Sequence, residues 1–332
     1  MAQSGEFSII DRYFTHATFG AWTSKGVGDD CAIIDAGTTR IAVTTDMTTV
    51  GVHFPVSTRP EDIGYKALAV NLSDLAASGA VPRAFFLSIA LPERDDAWLA
   101  AFTHGLMELS KQTDCPLLGG DTTRTAQVGE KRAPTVISIT AIGELPAQMG
   151  LTRAGAHEGD DIYVSGTLGA AWAALHHLTG DLTLSAEAFP AALRRLERPV
   201  ARNALGTALL SAASACADIS DGLAQDLGHI LDRSDVGAEL VLEAIPADPA
   251  VCSLSRENRL TALLNGGDDY ELVFTAPVEK RGLIEQAAIS ALTPIRRIGR
   301  IVGKDAQMRR LTVRDAAGRP LPFVSEGFDH FS

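Results

Sequence analysis

Six short segments of the chain end an apolar run on an acid set among glycine and other small residues. They are GVGDDCA from Gly26, TTDM from Thr44, NLSDLAASG from Asn71, LLGGDTTR from Leu117, DISDGL from Asp218 and NGGDDYEL from Asn265. Residues at element ends are where sites are usually built, and small residues let a ligand approach the backbone. Turn N–H groups of this kind hold phosphates, and carboxylates hold the cations that bridge them. The first stretch, Gly26 to Asp46, gathers Asp29 and Asp30 in a glycine turn and Thr44, Thr45 and Asp46 at the end of a second apolar run. Carboxylates with hydroxyls, and no nearby Lys or Arg to neutralise them, suit a hard cation such as Mg²⁺. Each segment alone also reads as turn chemistry, with Asp29 and Asp30 as turn residues and Asp46 at a strand end. Six in one chain argue for a site.

The elements that must carry these acids follow from periodicity. Phe7, Ile10 and Phe14 predict a first helix over Glu6–Phe14. Cys31–Ile34 and Ile41–Val43 read as paired strands, and Thr48–Arg59 as a loop containing His53. Pro60 opens a helix that continues over Glu61–Ser78 and stops at Gly79. Ala84–Leu91 predicts a strand, Asp95–Gln112 a helix, Pro116–Leu118 a short strand leading into the Gly119–Gly120–Asp121 turn, and Thr135–Leu145 a strand. Thr125–Pro134 reads as a mobile surface loop. In the second half, strands are expected at Asp161–Ser165, Ala215–Ile219, Ala238–Ile245, Tyr270–Thr275, Arg297–Val302 and Arg309–Arg314. Helices are expected at Ala170–Leu178, Arg198–Ala213, Leu223–Arg233 and Glu279–Ala291. Strands and helices mix in both halves, so each is α/β or α+β, with a boundary in the turn-rich 146–158 segment.

At 332 residues the chain is long enough for two domains. With 41 acids against 29 bases it lacks the basic excess of a nucleic-acid binder. Cys31, Cys115, Cys216 and Cys252 form no C-x-x-C pair and read as buried thiols of a reducing compartment. There is no signal peptide pattern and no apolar run long enough for a membrane span, so a cytoplasmic enzyme is expected. The P-loop, the dinucleotide fingerprint and the protein-kinase motif set are absent. A nucleotide would therefore be held by another architecture.

These motifs, in this order, resemble those of the thiamine-monophosphate kinase family, within the superfamily of aminoimidazole ribonucleotide synthetase and selenophosphate synthetase. The resemblance runs from GEFSII at Gly5 to GFDHF ending at Phe331. YKALAVNLSDLAASGA, GGDTTR, SDGLAQDLGHI and GGDDYEL carry it most strongly. It implies a two-domain synthetase-like fold. Residues 1–150 would form a metal- and ATP-binding, dimer-forming domain, and residues 151–332 an α/β domain that completes the nucleotide and substrate sites. It implies Mg-dependent transfer of the ATP γ-phosphoryl to thiamine monophosphate, giving thiamine diphosphate, in a homodimer. By motif, Asp30, Thr44, Thr45, Asp46, Asp74, Asp121, Asp218 and Asp221 would be the Mg²⁺ ligands, with Asp46, Asp121 and Asp221 central to catalysis. Gly120, Asp121, Arg153 and Ser220 would contact ATP, and His53, Asp268 and Phe328 the thiamine phosphate. The family often has Glu where this chain has Asp268, and its loop over 125–134 is shorter.

Bland readings stand beside these roles: His53 as a surface-loop histidine, Phe328 as C-terminal packing, Arg153 as a turn cap, Asp226 and His229 as helix residues that face solvent or the first turn. Asp74 differs, because its neighbours Leu72, Leu75 and Ala76 predict a buried helix where an acid needs a partner or a metal. Two rivals remain: a selenophosphate synthetase, which needs an early reactive cysteine, and a non-catalytic sensor, which would not need the full set of acids.

Overall fold

A computed structural model describes residues 9–10, 14, 23–129, 131–304, 310–323 and 328. Most of the helix expected over Glu6–Phe14 and most of the GFDHF segment lie outside these residues; of that helix, residues 9–10 are described and are helical. Two six-stranded sheets dominate the described chain.

The first sheet is built from β1 (Thr23–Lys25), β2 (Ala32–Ala36), β3 (Thr39–Thr49), β4 (Val81–Leu91), β5 (Leu117–Arg124) and β8 (Val136–Pro146). The strand order is β1-β2-β3-β8-β4-β5; only the β4–β5 pair is parallel. Along β8 every second residue is buried, as expected for a sheet covered on one face. The covering elements are α1 (Pro60–Ala77) and α2 (Asp96–Gln112). Their side chains Leu68, Leu72, Leu75, Phe102 and Leu106 pack with Ile33, Phe85, Ile137 and Ile139 of the sheet. Helix α1 begins at Pro60, where the missing N–H is harmless, with Glu61 and Asp62 in its first turn. Asp95 caps α2 by accepting from the Ala97 and Trp98 N–H groups. The two helices cross at glycines. A Cβ on Gly64 would lie 2.0 Å from the Phe102 carbonyl oxygen, and one on Gly105 1.8 Å from that of Glu61.

The second sheet joins β9 (Asp161–Ser165), β10 (Ala215–Asp218), β11 (Gly237–Val241), β12 (Leu272–Ala276), β13 (Ile295–Val302) and β14 (Leu311–Arg314). Its order is β10-β12-β9-β13-β11-β14. Helices α3 (Ala170–Thr179), α4 (Phe189–Glu197), α5 (Asn203–Leu209), α6 (Leu223–Ser234), α7 (Pro249–Cys252), α8 (Arg256–Leu264) and α9 (Arg281–Ser290) pack around it. Ala76 and Ala77 of α1 share an apolar cluster with Leu205, Leu209, Leu272 and Phe274, so α1 is buried between the two sheet-containing domains.

Several expectations require correction. The GGDTTR segment is not a turn but part of β5, because it pairs in register with β4 from Phe85 to Leu91. Within Thr125–Pro134, Gln127–Val128 (β6) and Lys131–Arg132 (β7) pair as a hairpin. A helix over Arg198–Ala213 does not form. The chain ends α4 at Glu197, just before Pro199, and restarts as α5 at Asn203. The strand expected to run to Ile245 stops at Val241 and continues as a 3₁₀ turn, Leu242–Ala244. Tyr270 precedes its strand with φ at 49°. Cys252 is exposed, whereas Cys31, Cys115 and Cys216 are buried as expected.

Candidate active site

Helix α1 is the backbone of the site. Fifteen of its 18 residues are buried, and these include the polar Asp62, Lys66, Asn71 and Ser73. Burying polar groups costs free energy unless each finds a partner, so their partners define what the helix is for. Asn71 accepts from the Asp46 N–H at 3.2 Å and donates to the Ala67 carbonyl. Ser73 donates to Asp218 of the second sheet at 2.7 Å. Asp74 accepts from the Thr44 hydroxyl. Strand β3 is thereby locked against the helix, and the helix against β10.

The carboxylates of Asp30, Asp74 and Asp218 converge, with one oxygen from each lying within 4.8 Å of the others. They arrive from the glycine turn before β2, from α1 and from the end of β10. In the protein alone this proximity raises their affinity for protons. Burial, then the charge of Asp30, pushes Asp218 up to about 7. Burial followed by the charges of Asp46, Asp218 and Asp30 raises Asp74 well above the carboxylate range. Burial also raises Asp30, against the opposing charge of Arg153. A divalent cation would relieve this repulsion, and an all-oxygen donor set with nearby hydroxyls fits Mg²⁺ rather than a soft metal.

Arg153 sits on this cluster. Its guanidinium donates to Asp30 at 2.6 and 3.1 Å, and its N–H to Asp29 at 2.8 Å. The acids therefore do have a basic neighbour, brought from 123 residues away, and Arg153 is more than a turn cap. Asp46 shares the inner face of β3 with Thr44 and contributes to the field felt by Asp74 and Asp218. Thr45 does not join them through its side chain. Strand alternation turns it to the outer face, where it bonds the Ile139 carbonyl and Thr140. Asp121 and Gly120 lie on the exposed edge strand β5, opposite Ser88 and Leu87. Gly120 is required there, since a Cβ would meet the Leu87 carbonyl oxygen at 1.7 Å.

On the other side of β10, Ser220 and Asp221 form the turn into α6. Of the two expectations for Asp226, solvent or the first turn, the structure shows the second: it is 2% exposed and accepts from the Asp221 and Gly222 N–H groups at 3.1 Å. Burial and then the Asp221 charge raise its proton affinity well above normal. His229, one turn further on, is half-buried, and burial, then Arg153 and Arg233, lower it to about 4. The Ser220 carbonyl accepts from the Asp268 N–H at 2.8 Å, which ties the SDG turn to the GGDDYEL turn. The backbone N–H of Phe328 donates to the Asp221 carbonyl, and Gln225 bonds both Asp221 and the Phe328 carbonyl. Phe328 is 46% exposed.

His53 and Asp268 line one cleft of about 170 Å³ with Gly51–Pro55, Leu175, Thr179 and Leu196. The Thr49 N–H donates to His53 Nδ1 at 3.1 Å. The geometry thus assigns the ring proton to Nε2, making the imidazole a donor at its far side. Asp268 and Tyr270 have φ of 66° and 49°, a strained conformation for side-chain-bearing residues. Tyr270 connects cleft to cluster. Its phenol is raised by burial, then by Asp268, Asp46 and Asp218.

Sequence reading missed Lys66, Asn71, Ser73, Asp226 and the Arg153–Asp30 pair. A signal existed for the helix residues: Lys66, Ser73 and Asp74 are spaced by seven and eight, one face of an otherwise apolar helix.

Comparison with known proteins now defines the class. Residues 28–145 match the AIR synthase related protein N-terminal domain, and residues 157–310 the corresponding C-terminal domain. The chain is 40% identical over 333 residues to the thiamine-monophosphate kinase of Salmonella typhimurium (strain LT2), covering 99% of this chain and 98% of that one. A crystal structure of thiamine-monophosphate kinase from Stenotrophomonas maltophilia K279a is 40% identical, with a TM-score of 0.77 over 95% of this chain and 98% of that one. AaThiL complexed with AMPPCP and TMP superimposes with a TM-score of 0.83 at 30% identity, over 98% and 97% of the two chains. The protein is thus an AIR-synthase-related two-domain α/β enzyme. Within that class it belongs to the thiamine-monophosphate kinase family.

Proposed function

We propose that the protein transfers the γ-phosphoryl group of ATP directly, in line, to the phosphate of thiamine monophosphate, giving thiamine diphosphate and ADP. This is the last step of thiamine diphosphate biosynthesis. The observation that carries the reading is the convergence of Asp30, Asp74 and Asp218 from both domains, on the helix whose Lys66 also bonds Asp268 and the His53 carbonyl of the cleft. Donor and acceptor are both anions, so alignment and charge neutralisation dominate the barrier. Asp30, Asp74, Asp218 and Asp46 are the residues that would hold Mg²⁺, with Thr44 positioning Asp74. Asp121, on the β5 edge, and Asp221, in the SDG turn, are assigned to the metal by motif alone. A cation held by these carboxylates would supply charge neutralisation for the phosphates. Gly120, Arg153 and Ser220 are assigned to the nucleotide; binding of its phosphates would compete with Asp30 for Arg153. His53, with its donor at Nε2, Asp268 and Phe328 are assigned to the acceptor. The acceptor phosphate is already ionised near neutral pH, so no strong general base is needed.

The residue bounds 1–150 and 151–332 are proposed for the two domains. A homodimer through the first sheet is supported by its outer surface. All of β5 is exposed at an edge, and Met47, Phe86 and Leu118 lie open beside it or on the outer face. The cytoplasm is the proposed location, supported by free thiols at Cys31, Cys115 and Cys216. Among the described residues no helix is long and apolar enough to cross a membrane. A selenophosphate synthetase reading is opposed by Cys31, whose buried thiol donates to the Asp74 carbonyl and is pushed well above its usual range by burial. The test is ADP release from Mg-ATP with and without thiamine monophosphate, with thiamine diphosphate identified as product. ATP consumption that ignores thiamine monophosphate would refute the assignment.

A further inference from the structure

Lys66 is 5% exposed, near the middle of α1. Lysine is rarely buried to this degree without a dedicated partner. Here the ammonium reaches two groups: the Asp268 carboxylate at 2.8 Å and the His53 carbonyl at 3.2 Å. Both residues line one cleft. His53 comes from the loop after β3 in the first domain, and Asp268 from the strained turn before β12 in the second. Asp74, eight residues on, lies about two turns and 12 Å further along the same helix face. One helix therefore holds both the acid cluster and this clamp.

We infer that Lys66 is the positioning residue of the acceptor side: it holds Asp268 and the His53 loop at the spacing the acceptor needs. This rests on the reading of the cleft as the site of thiamine monophosphate. The physical argument has two parts. Asp268 sits at φ 66° between Gly267 and Asp269, a conformation that persists only when its surroundings hold it. The Lys66 ammonium pairs with its carboxylate. The cleft lining also contains no Lys or Arg, so the Lys66 charge balances Asp268 where an anionic phosphate must approach. Lys66 acts through Asp268 and His53, and the nucleotide residues Gly120, Arg153 and Ser220 make no bond with it.

The experiment compares steady-state kinetics for wild type, Lys66→Met, Asp268→Asn and the double variant, each with thiamine monophosphate and ATP varied in turn. ADP release by the wild type that depends on thiamine monophosphate is the control for the underlying reading; its absence would overturn that reading. Given that control, Lys66→Met should raise KM for thiamine monophosphate about tenfold or more and KM for ATP less than about twofold. The double variant should be no worse than the poorer single variant, since both remove one interaction. Lys66→Arg, which restores a cation, should recover part of the loss. Equal rises in both KM values, multiplying losses in the double variant, or an unaffected Lys66→Met would overturn the inference. Should Lys66→Met not fold, Asp268→Asn and Lys66→Arg decide the matter by the same split between the two KM values.

Discussion

The site is made of single residues with opposed demands, and Asp46 shows this well. Its N–H is held by Asn71 while its carboxylate adds to the field at Asp74 and Asp218. Asp46→Asn keeps shape and the N–H bond but removes one hard anionic ligand. Turnover should fall roughly 10²–10³-fold, comparable with loss of one transition-state-stabilising group, and rise again in part with added Mg²⁺. Measuring ADP formation against Mg²⁺ concentration checks this; normal turnover at limiting Mg²⁺ would remove Asp46 from the metal site. The raised acids give a second expectation. Because folding raises Asp218 to about 7 from 3.8, the folded state holds the extra proton between those values. Without metal, that contribution to stability is complete below the lower value and is lost as pH rises through the upper one. Mg²⁺ replaces the proton, so its stabilising effect should be large near pH 8 and small near about pH 5.5. Thermal melts with and without Mg²⁺ at both pH values test it, and equal shifts would contradict the cluster as the binding place.

At the scale of elements, α1 does most of the positioning, and it was readable because Pro60, the acidic first turn and Gly79 bracket an apolar run. The acid motifs were also readable, since glycine–acid turns mark strand ends. What was not readable depended on long-range pairing. Strand β5 contains two glycines and looks like a turn until β4 supplies its ladder. The contact of Arg153 with Asp30 joins segments 123 residues apart in the chain, and no local pattern encodes it. Thr45 was placed with Thr44 because they are adjacent, yet adjacency in a strand means opposite faces. The α1–α2 crossing makes its own prediction. Gly105→Ala would drive a methyl into the Glu61 carbonyl and force the helices apart. That should outweigh the gain of about 1 kcal/mol from helix propensity and leave a net loss of roughly 1–3 kcal/mol. Urea unfolding would detect it as a lower midpoint; an unchanged midpoint would show that the helices separate freely.

At the scale of the whole molecule, two sheets with helices enclose one seam, and every acid of the Asp30–Asp74–Asp218 cluster comes from a different element along it. The exposed β5 edge and outer sheet face lie away from α1, so a second copy could cover them without closing the seam. Light scattering at micromolar concentration should give twice the chain mass; a fully active monomer would contradict the proposed dimer. The central claim concerns what the seam does, and one measurement addresses it most directly. Purified protein is mixed with ATP, Mg²⁺ and thiamine monophosphate, and ADP and thiamine diphosphate are quantified together, with Mg²⁺ omitted in parallel. The account predicts one thiamine diphosphate for each ADP, and neither product without a divalent ion. ADP formed without thiamine diphosphate, or full turnover in the presence of a chelator, would contradict it.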